Sequence, residues 1–191
     1  MDIATIITSA IVVLLLLYLV SIYNHLVRIK HNVSKAWSNI DVLLKQRHDE
    51  IPKLVETCRQ YMKFEQDTLE KVMLARSQVS RARQSQDMQE LGMAEGALRM
   101  GLGNLFALAE DYPELRANEN YQHLQSRISI LENIIADRRE FYNESTNINN
   151  IGIEQFPEVV VARLFAFTAR DLLEFEASDI ADVNVRQLFD A

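Results

Sequence analysis

From Ile3 to Val20 the chain reads IATIITSAIVVLLLLYLV, eighteen residues without a charge. No other feature constrains the fold as strongly. Ser21, Ile22 and Tyr23 extend the run. As a helix, Ile3 to Tyr23 would measure about 31 Å at about 1.5 Å per residue, the thickness of a bilayer core. A segment in lipid must satisfy its backbone internally, which leaves helix as the form. Tyr23 and His25 then fall at the level of an interfacial belt. A cleaved signal peptide fits less well. No Lys or Arg precedes the run, the run is longer than a usual apolar core of a signal, and SIYNHLVR offers no Ala-x-Ala-like site. The expectation is an uncleaved single-pass anchor whose partner, through residues 3–23, is membrane lipid.

Arg28, Lys30 and Lys35 follow the span and no basic residue precedes it. The positive-inside rule puts the short N-terminus outside and the following domain in the cytoplasm. A periplasmic or extracytoplasmic domain is the alternative. The lone Cys58 can form no intramolecular disulfide. Its spacing from Leu54 and Tyr61 marks it as a small buried apolar side chain rather than a nucleophile.

The formal charge of −7 is unevenly spread. Residues 24–170 carry 19 basic and 20 acidic side chains. Residues 171–191 carry Asp171, Glu174, Glu176, Asp179, Asp182 and Asp190 against Arg186 alone. Neither region offers the basic field that a phosphate backbone requires, so no nucleic-acid partner is expected. The organisation expected is an anchor over 1–23, a helical domain over 24–170 and an acidic tail over 171–191.

With five glycines and three prolines in 191 residues, helix is favoured almost throughout. Val33, Trp37, Ile40, Leu44, Arg47, Ile51, Leu54, Cys58, Tyr61, Glu65, Thr68, Val72, Ala75 and Val79 alternate strictly between spacings of three and four. That is a coiled-coil-like seam, and it keeps its phase across Pro52. It predicts one long helix, kinked near Pro52 and continuous with the anchor. Ser80–Gln86 is the expected turn. Asp87 followed by Glu90 fits a capping box opening a second helix, which carries Leu91, Leu98, Leu102, Leu105 and Ala109 and ends before Pro113. Gly92 and Gly96 suit close helix approach, since no phosphate-loop context surrounds them. Asn118 is the expected N-cap of a third helix through Tyr121, Leu124, Ile128, Leu131, Ile135, Arg138 and Tyr142. It is expected to fray at Asn147–Asn150. Gly152 and Pro157 bracket a turn, and Glu158–Phe167 reads as a short apolar helix. The fold class is all-α: an N-terminal transmembrane helix continuing into the long kinked helix of an antiparallel three- or four-helix bundle.

No Glu-x-x-His pair, HExxH, CxxC or GxSxG is present. No catalytic residue, cofactor or metal is expected. Arg47, His48, Asp49 and Glu50 would point in different directions on a helix. Three charges sit on seams: Arg47, Glu65 and Arg138. A buried charge costs several kcal/mol without a partner. Pairing with carboxylates such as Glu110 and Glu132 is the expected resolution, and a ligand-binding use is the alternative.

Three stretches carry a resemblance: AWSNIDVLLKQRHDEIPKLVE (36–56), EDYPELRANENYQHLQ (110–125) and ENIIADRREFYN (132–143). Together they resemble the LemA family of bacterial membrane proteins, over nearly the whole chain. The resemblance implies one N-terminal membrane helix with the N-terminus outside, and an antiparallel helical bundle. Its signature positions fall on Asp41, Arg47, Pro52, Glu110, Tyr112, Pro113, Glu132, Arg138, Tyr142 and Asn143. The chain departs from it at Asn149-Asn150, where Tyr-Asn is common, and at Phe64, where His is common. The resemblance implies at most a membrane-tethered assembly or scaffold role.

The function expected is a membrane-anchored scaffold or interaction protein, without catalysis, that forms a homo-oligomer. The apolar residues Leu43, Val55, Met62 and Leu69, beside the seam, are its candidate assembly surface. The alternatives are a small-ligand sensor or enzyme using Arg47, Glu110 and Arg138, and an adaptor whose tail docks a protein through Phe175, Leu188 and Phe189.

Overall fold

The helix that carries the apolar run does not stop where the run ends. In the computed structural model, which describes residues 2–174, α1 runs from Ile3 to Tyr61. Residues 3–20 are exposed throughout, and the segment is long and apolar enough to cross a membrane. Pro52 lies inside α1. A proline has no amide hydrogen, so the carbonyl four residues back, that of His48, loses its helical donor. Arg76 Nε replaces it at 2.8 Å.

The single long helix expected through Val79 is not what forms. α1 ends at Tyr61, and α2 spans Gln66–Ser85. No side chain caps the start of α2 at Glu65. The break is held by longer-range contacts: Asn118 Nδ2 donates to the Tyr61 hydroxyl at 3.1 Å, and the Tyr112 hydroxyl to Glu65 Oε1 at 3.4 Å. The next turn is also shorter than expected. α2 continues through Ser85, and only Gln86, at φ 55°, and Asp87 separate it from α3, Met88–Ala109. Asp87 Oδ1 accepts from the Glu90 amide at 2.8 Å, the expected N-cap. The Pro113 loop contains a one-turn helix, α4, Pro113–Arg116. Asn118 Oδ1 then accepts from the Tyr121 amide at 3.0 Å and opens α5, Glu119–Glu154. α5 runs through the polar stretch where fraying was expected, and Gly152 lies inside it. The turn falls later, at the Phe156-Pro157 cis peptide, and α6 is Glu158–Leu164, ending before Phe167. Among the described residues all regular structure is helical. Phe175, Leu188 and Phe189 lie outside the described residues.

Within 24–170, where one domain was expected, the chain divides between two compact units. Among the described residues, one holds residues 2–39 and 138–172; the other holds residues 40–137 and 173–174. In the second unit, the end of α1, α2, α3 and the start of α5 form an antiparallel bundle. Partners of α1 descend in number as α1 ascends: Asp41 with Arg83 and His48 with Arg76 on α2, Arg47 with Glu132 and Glu50 with Arg127 on α5. α2 packs along α3; a Cβ on Gly101 would sit 3.4 Å from Val72 Cγ2. Leu44, Leu54, Leu102 and Leu131 are buried as expected.

Val55, Met62 and Leu69 are buried too, at 3 % exposure or less. They cannot form the external assembly surface expected of them. The turn after Tyr61 folds α2 back on α1, which carries Met62 and Leu69 into the core. Leu43 is half-buried.

In the first unit α1 and α5 also run antiparallel. Trp37 meets Tyr142, ring centroids 6.0 Å apart, and a Cβ on Gly152 would lie 2.6 Å from Ile29 Cδ1. A side chain at 152 would have to displace the end of the Ile29 side chain. α6 buries Val161 and Ala162 against Ile22, Leu26 and Ile29.

Candidate functional site

The charge on the α1 seam is resolved inside the second unit. Arg47 is 1 % exposed. Its Nη2 bonds Glu95 of α3, itself 3 % exposed, and its Nη1 donates to Glu132 Oε1 of α5 at 2.6 Å. One guanidinium thus ties three helices together. Burial alone would lower the Arg47 pKa, but the two carboxylates and their hydrogen bonds outweigh it and raise it above the ordinary arginine value. Its planar fork presents separate N–H groups in a fixed geometry, one to each carboxylate, where a lysine would offer a single compact charge. Arg47 Nε is buried and has no hydrogen-bond partner among the described residues.

Of the expected partners, Glu132 joins this cluster and Glu110 does not. Glu110 is exposed at the end of α3. Arg138 is exposed as well, so it is not a seam charge in need of a partner. The ligand set Arg47, Glu110 and Arg138 is therefore not assembled. Glu95 was missed. Its signal was present in the sequence: it stands between Leu91 and Leu98 at helical spacing, the one acidic residue on that apolar face.

The neighbours of Arg47 do point apart. The His48 carbonyl accepts from Arg76, Glu50 pairs with Lys53 and Arg127, and Asp49 is exposed. His48, Arg76, Ser77, Ser80, Arg81 and Gln84 line a shallow cleft. Burial, then the nearby Arg76, lowers the His48 pKa against the pull of Asp49. Asp41 bonds Arg83 Nη1 at 3.1 Å.

Tyr112 and Pro113 lie at the loop end of the same bundle. With Gln60, Tyr61, Lys63, Asp111 and Glu114 they line an open cleft of about 590 Å³. Phe64, in the turn between α1 and α2, is 94 % exposed. Cys58 is fully buried, and burial pushes its thiol up to about 12. Its burial is what its spacing suggested. Among the described residues no group of three His, Cys, Asp or Glu could hold a metal ion.

In the first unit, Tyr142 and the asparagines of α5 hold the extended segment after α6. The Tyr142 hydroxyl donates to the Asp171 carbonyl at 3.0 Å. Asn150 makes a reciprocal pair with Arg170, Nδ2 to the carbonyl and Oδ1 from the amide, both 2.9 Å. Asn149 is buried and donates to the Thr168 carbonyl at 3.4 Å. Asn149 and Asn150 thus supply hydrogen-bonding groups to the backbone of residues 168 and 170. Asn143 is half-buried beside them in sequence and also has an interaction partner.

The sequence model of the LemA family matches residues 36–186. Protein LemA of Metamycoplasma hominis is 27 % identical over 164 residues, which is 85 % of this chain and 72 % of that protein. Magnetosome protein MamQ 2 of Paramagnetospirillum magneticum is 29 % identical over 96 residues, 50 % of this chain. Magnetosome protein MamQ of Magnetospirillum gryphiswaldense is 31 % identical over 74 residues, 39 % of this chain. The matched regions span 35 % and 27 % of those two magnetosome proteins.

Proposed function

The chain belongs to the LemA family, and on that premise we propose that it is a membrane-anchored helical scaffold that binds other proteins and performs no catalysis. The observation that carries this reading is the continuity of α1. One helix, Ile3–Tyr61, includes both the apolar span and a wall of the bundle. The apolar span and the domain are thereby joined without an intervening loop. The buried polar cluster fits a structural role, because Arg47 is already matched by Glu95 and Glu132. The loop end, where Phe64 is exposed in the turn next to the cleft lined by Tyr112 and Pro113, is the partner-facing surface of this reading. Arg28, Lys30 and Lys35 favour a cytoplasmic domain.

Self-association belongs to the same proposal. Confinement to a membrane raises local concentration, so weak lateral contacts count. With Val55, Met62 and Leu69 in the core, Met93 and Met100, seven apart and both exposed on α3, are the side chains to test. The experiment is light scattering on the full-length protein in mild detergent, with native mass spectrometry. The reading expects a mass above one chain that falls to one chain in Met93→Glu/Met100→Glu, with helical content kept. A parent that is one chain at every concentration defeats self-association. A small molecule retained in stoichiometric amount favours a ligand-binding sensor instead.

A further inference from the structure

The end of the apolar run adjoins a second apolar surface that the anchor alone does not explain. Val161 and Ala162 of α6 are buried against Ile22, Leu26 and Ile29 of α1. The Tyr23 ring lies 4.7 Å from that of Phe165 and 5.9 Å from that of Phe167. Ile153 and Phe167 pack partly against this cluster, while other apolar side chains here are exposed. Phe156 is 82 % exposed and Leu164 76 %, with Val160 and Phe165 more than half exposed. Val160 and Leu164 are four apart, hence on one side of α6. Exposed apolar side chains in such density mark a contact surface.

Its position says what covers it. If residues 3–23 cross a bilayer, Ile22–Ile29 leaves the membrane along about 10 Å of helix. The headgroup layer on each side is about 5–8 Å thick. α6 packs on that stretch of α1, and Phe165 touches Tyr23, so the patch continues the lipid-facing surface of Leu19, Val20 and Tyr23. Arg28, Lys30 and Arg163 are exposed nearby, suited to lipid phosphates, and the Lys30 ammonium lies 5.8 Å from the centre of the Phe167 ring. Glu154 and Glu158 supply the opposing charge. We propose that α6 is an interfacial element, lying in the headgroup layer with Phe156, Val160 and Leu164 set into the acyl boundary. It holds α1 at a fixed depth. The proposal rests on the anchor reading, and goes beyond it by giving the segment after α5 a membrane role of its own.

The test uses full-length protein in vesicles of phosphatidylcholine and phosphatidylglycerol. Single cysteines at Leu164, Val160, Leu14 and Lys35 (L164C, V160C, L14C, K35C) carry an environment-sensitive fluorophore. Native Cys58 stays, since burial and a thiol pushed up to about 12 keep it unlabelled. Lipids bearing a doxyl quencher near the headgroup should quench the probes at 160 and 164. A quencher deep in the acyl chain should act on the probe at 14, and neither should reach the probe at 35. Probes at 160 and 164 that escape lipid quenching and are quenched by iodide overturn the proposal. So does a blue-shifted probe that neither quencher reaches, which would mean a protein, such as a second copy, covers the patch. In both cases a quenched probe at 14 leaves the anchor reading intact. An unquenched probe at 14 overturns the anchor reading and this proposal with it.

Discussion

Replacing Arg76 by alanine tests how α1 tolerates its proline. Pro52 deprives the His48 carbonyl of its helical donor, and Arg76 Nε supplies another at 2.8 Å. Leaving a partly buried carbonyl unsatisfied costs about 1–3 kcal/mol. In a domain of this size about 1 kcal/mol moves the melting temperature by roughly 2–4 °C. Arg76→Ala should therefore lower it by about 2–12 °C. The informative comparison is the same change in a Pro52→Ala background. Alanine at 52 restores the amide hydrogen to the His48 carbonyl, so Arg76→Ala should there lose most of its effect. The coupling between the two positions should reach about 1 kcal/mol or more. Thermal melts of full-length protein in detergent, followed by circular dichroism, read all four corners of the cycle. An equal loss in both backgrounds would refute the reasoning. It would mean that Arg76 acts through Asp49 or the nearby cleft instead.

Arg47→Met should cost about 3–5 kcal/mol, because buried Glu95 and half-buried Glu132 lose their guanidinium; Arg47→Met/Glu95→Leu/Glu132→Leu should recover much of it in urea melts. Asp87→Ala should cost about 0.5–2 kcal/mol by removing the cap on the Glu90 amide, seen in the same melts. Gly152→Val should cost about 1–3 kcal/mol through overpacking, and Ile29→Ala should lessen that cost by making room. Cys58 carries a pH signature. Its folded thiol is raised from 9.0 to about 12, so the unfolded chain releases the proton first. Its contribution is complete below about pH 9 and is lost as pH rises toward about 12. A flat stability profile across that window would mean the thiol meets water.

The caps were legible in the sequence because their chemistry is local. Asp87 and Asn118 each accept from an amide three residues on, and residue type with spacing specifies that. The core leucines were legible because period alone places them. The break after Tyr61 was not. No glycine or proline marks it, and the seam keeps its rhythm on both sides, with Cys58 and Val72 buried alike. Tyr112 and Asn118, about fifty residues away, are what hold it. The same turn explains the misplaced assembly surface, since it moves Met62 and Leu69 inside. Arg47 was legible as a seam charge in need of carboxylates, and Glu132 as one of two candidates; the other, Glu110, does not join it. Arg138 shares the rhythm of Leu131, Ile135 and Tyr142, which are buried, yet is itself exposed, because periodicity marks a stripe without fixing the burial of each member. α5 outlasts its polar stretch because Asn149 and Asn150 bond residues 168–170, contacts with no local signature.

The central claim is that this bundle stays joined to the membrane by α1. Carbonate washing of cell membranes followed by N-terminal sequencing of the extracted protein tests it most directly. The account predicts that the protein remains in the washed pellet and that its mature chain still contains residues 3–23. A mature chain beginning beyond Ser21 and released into the supernatant would contradict it.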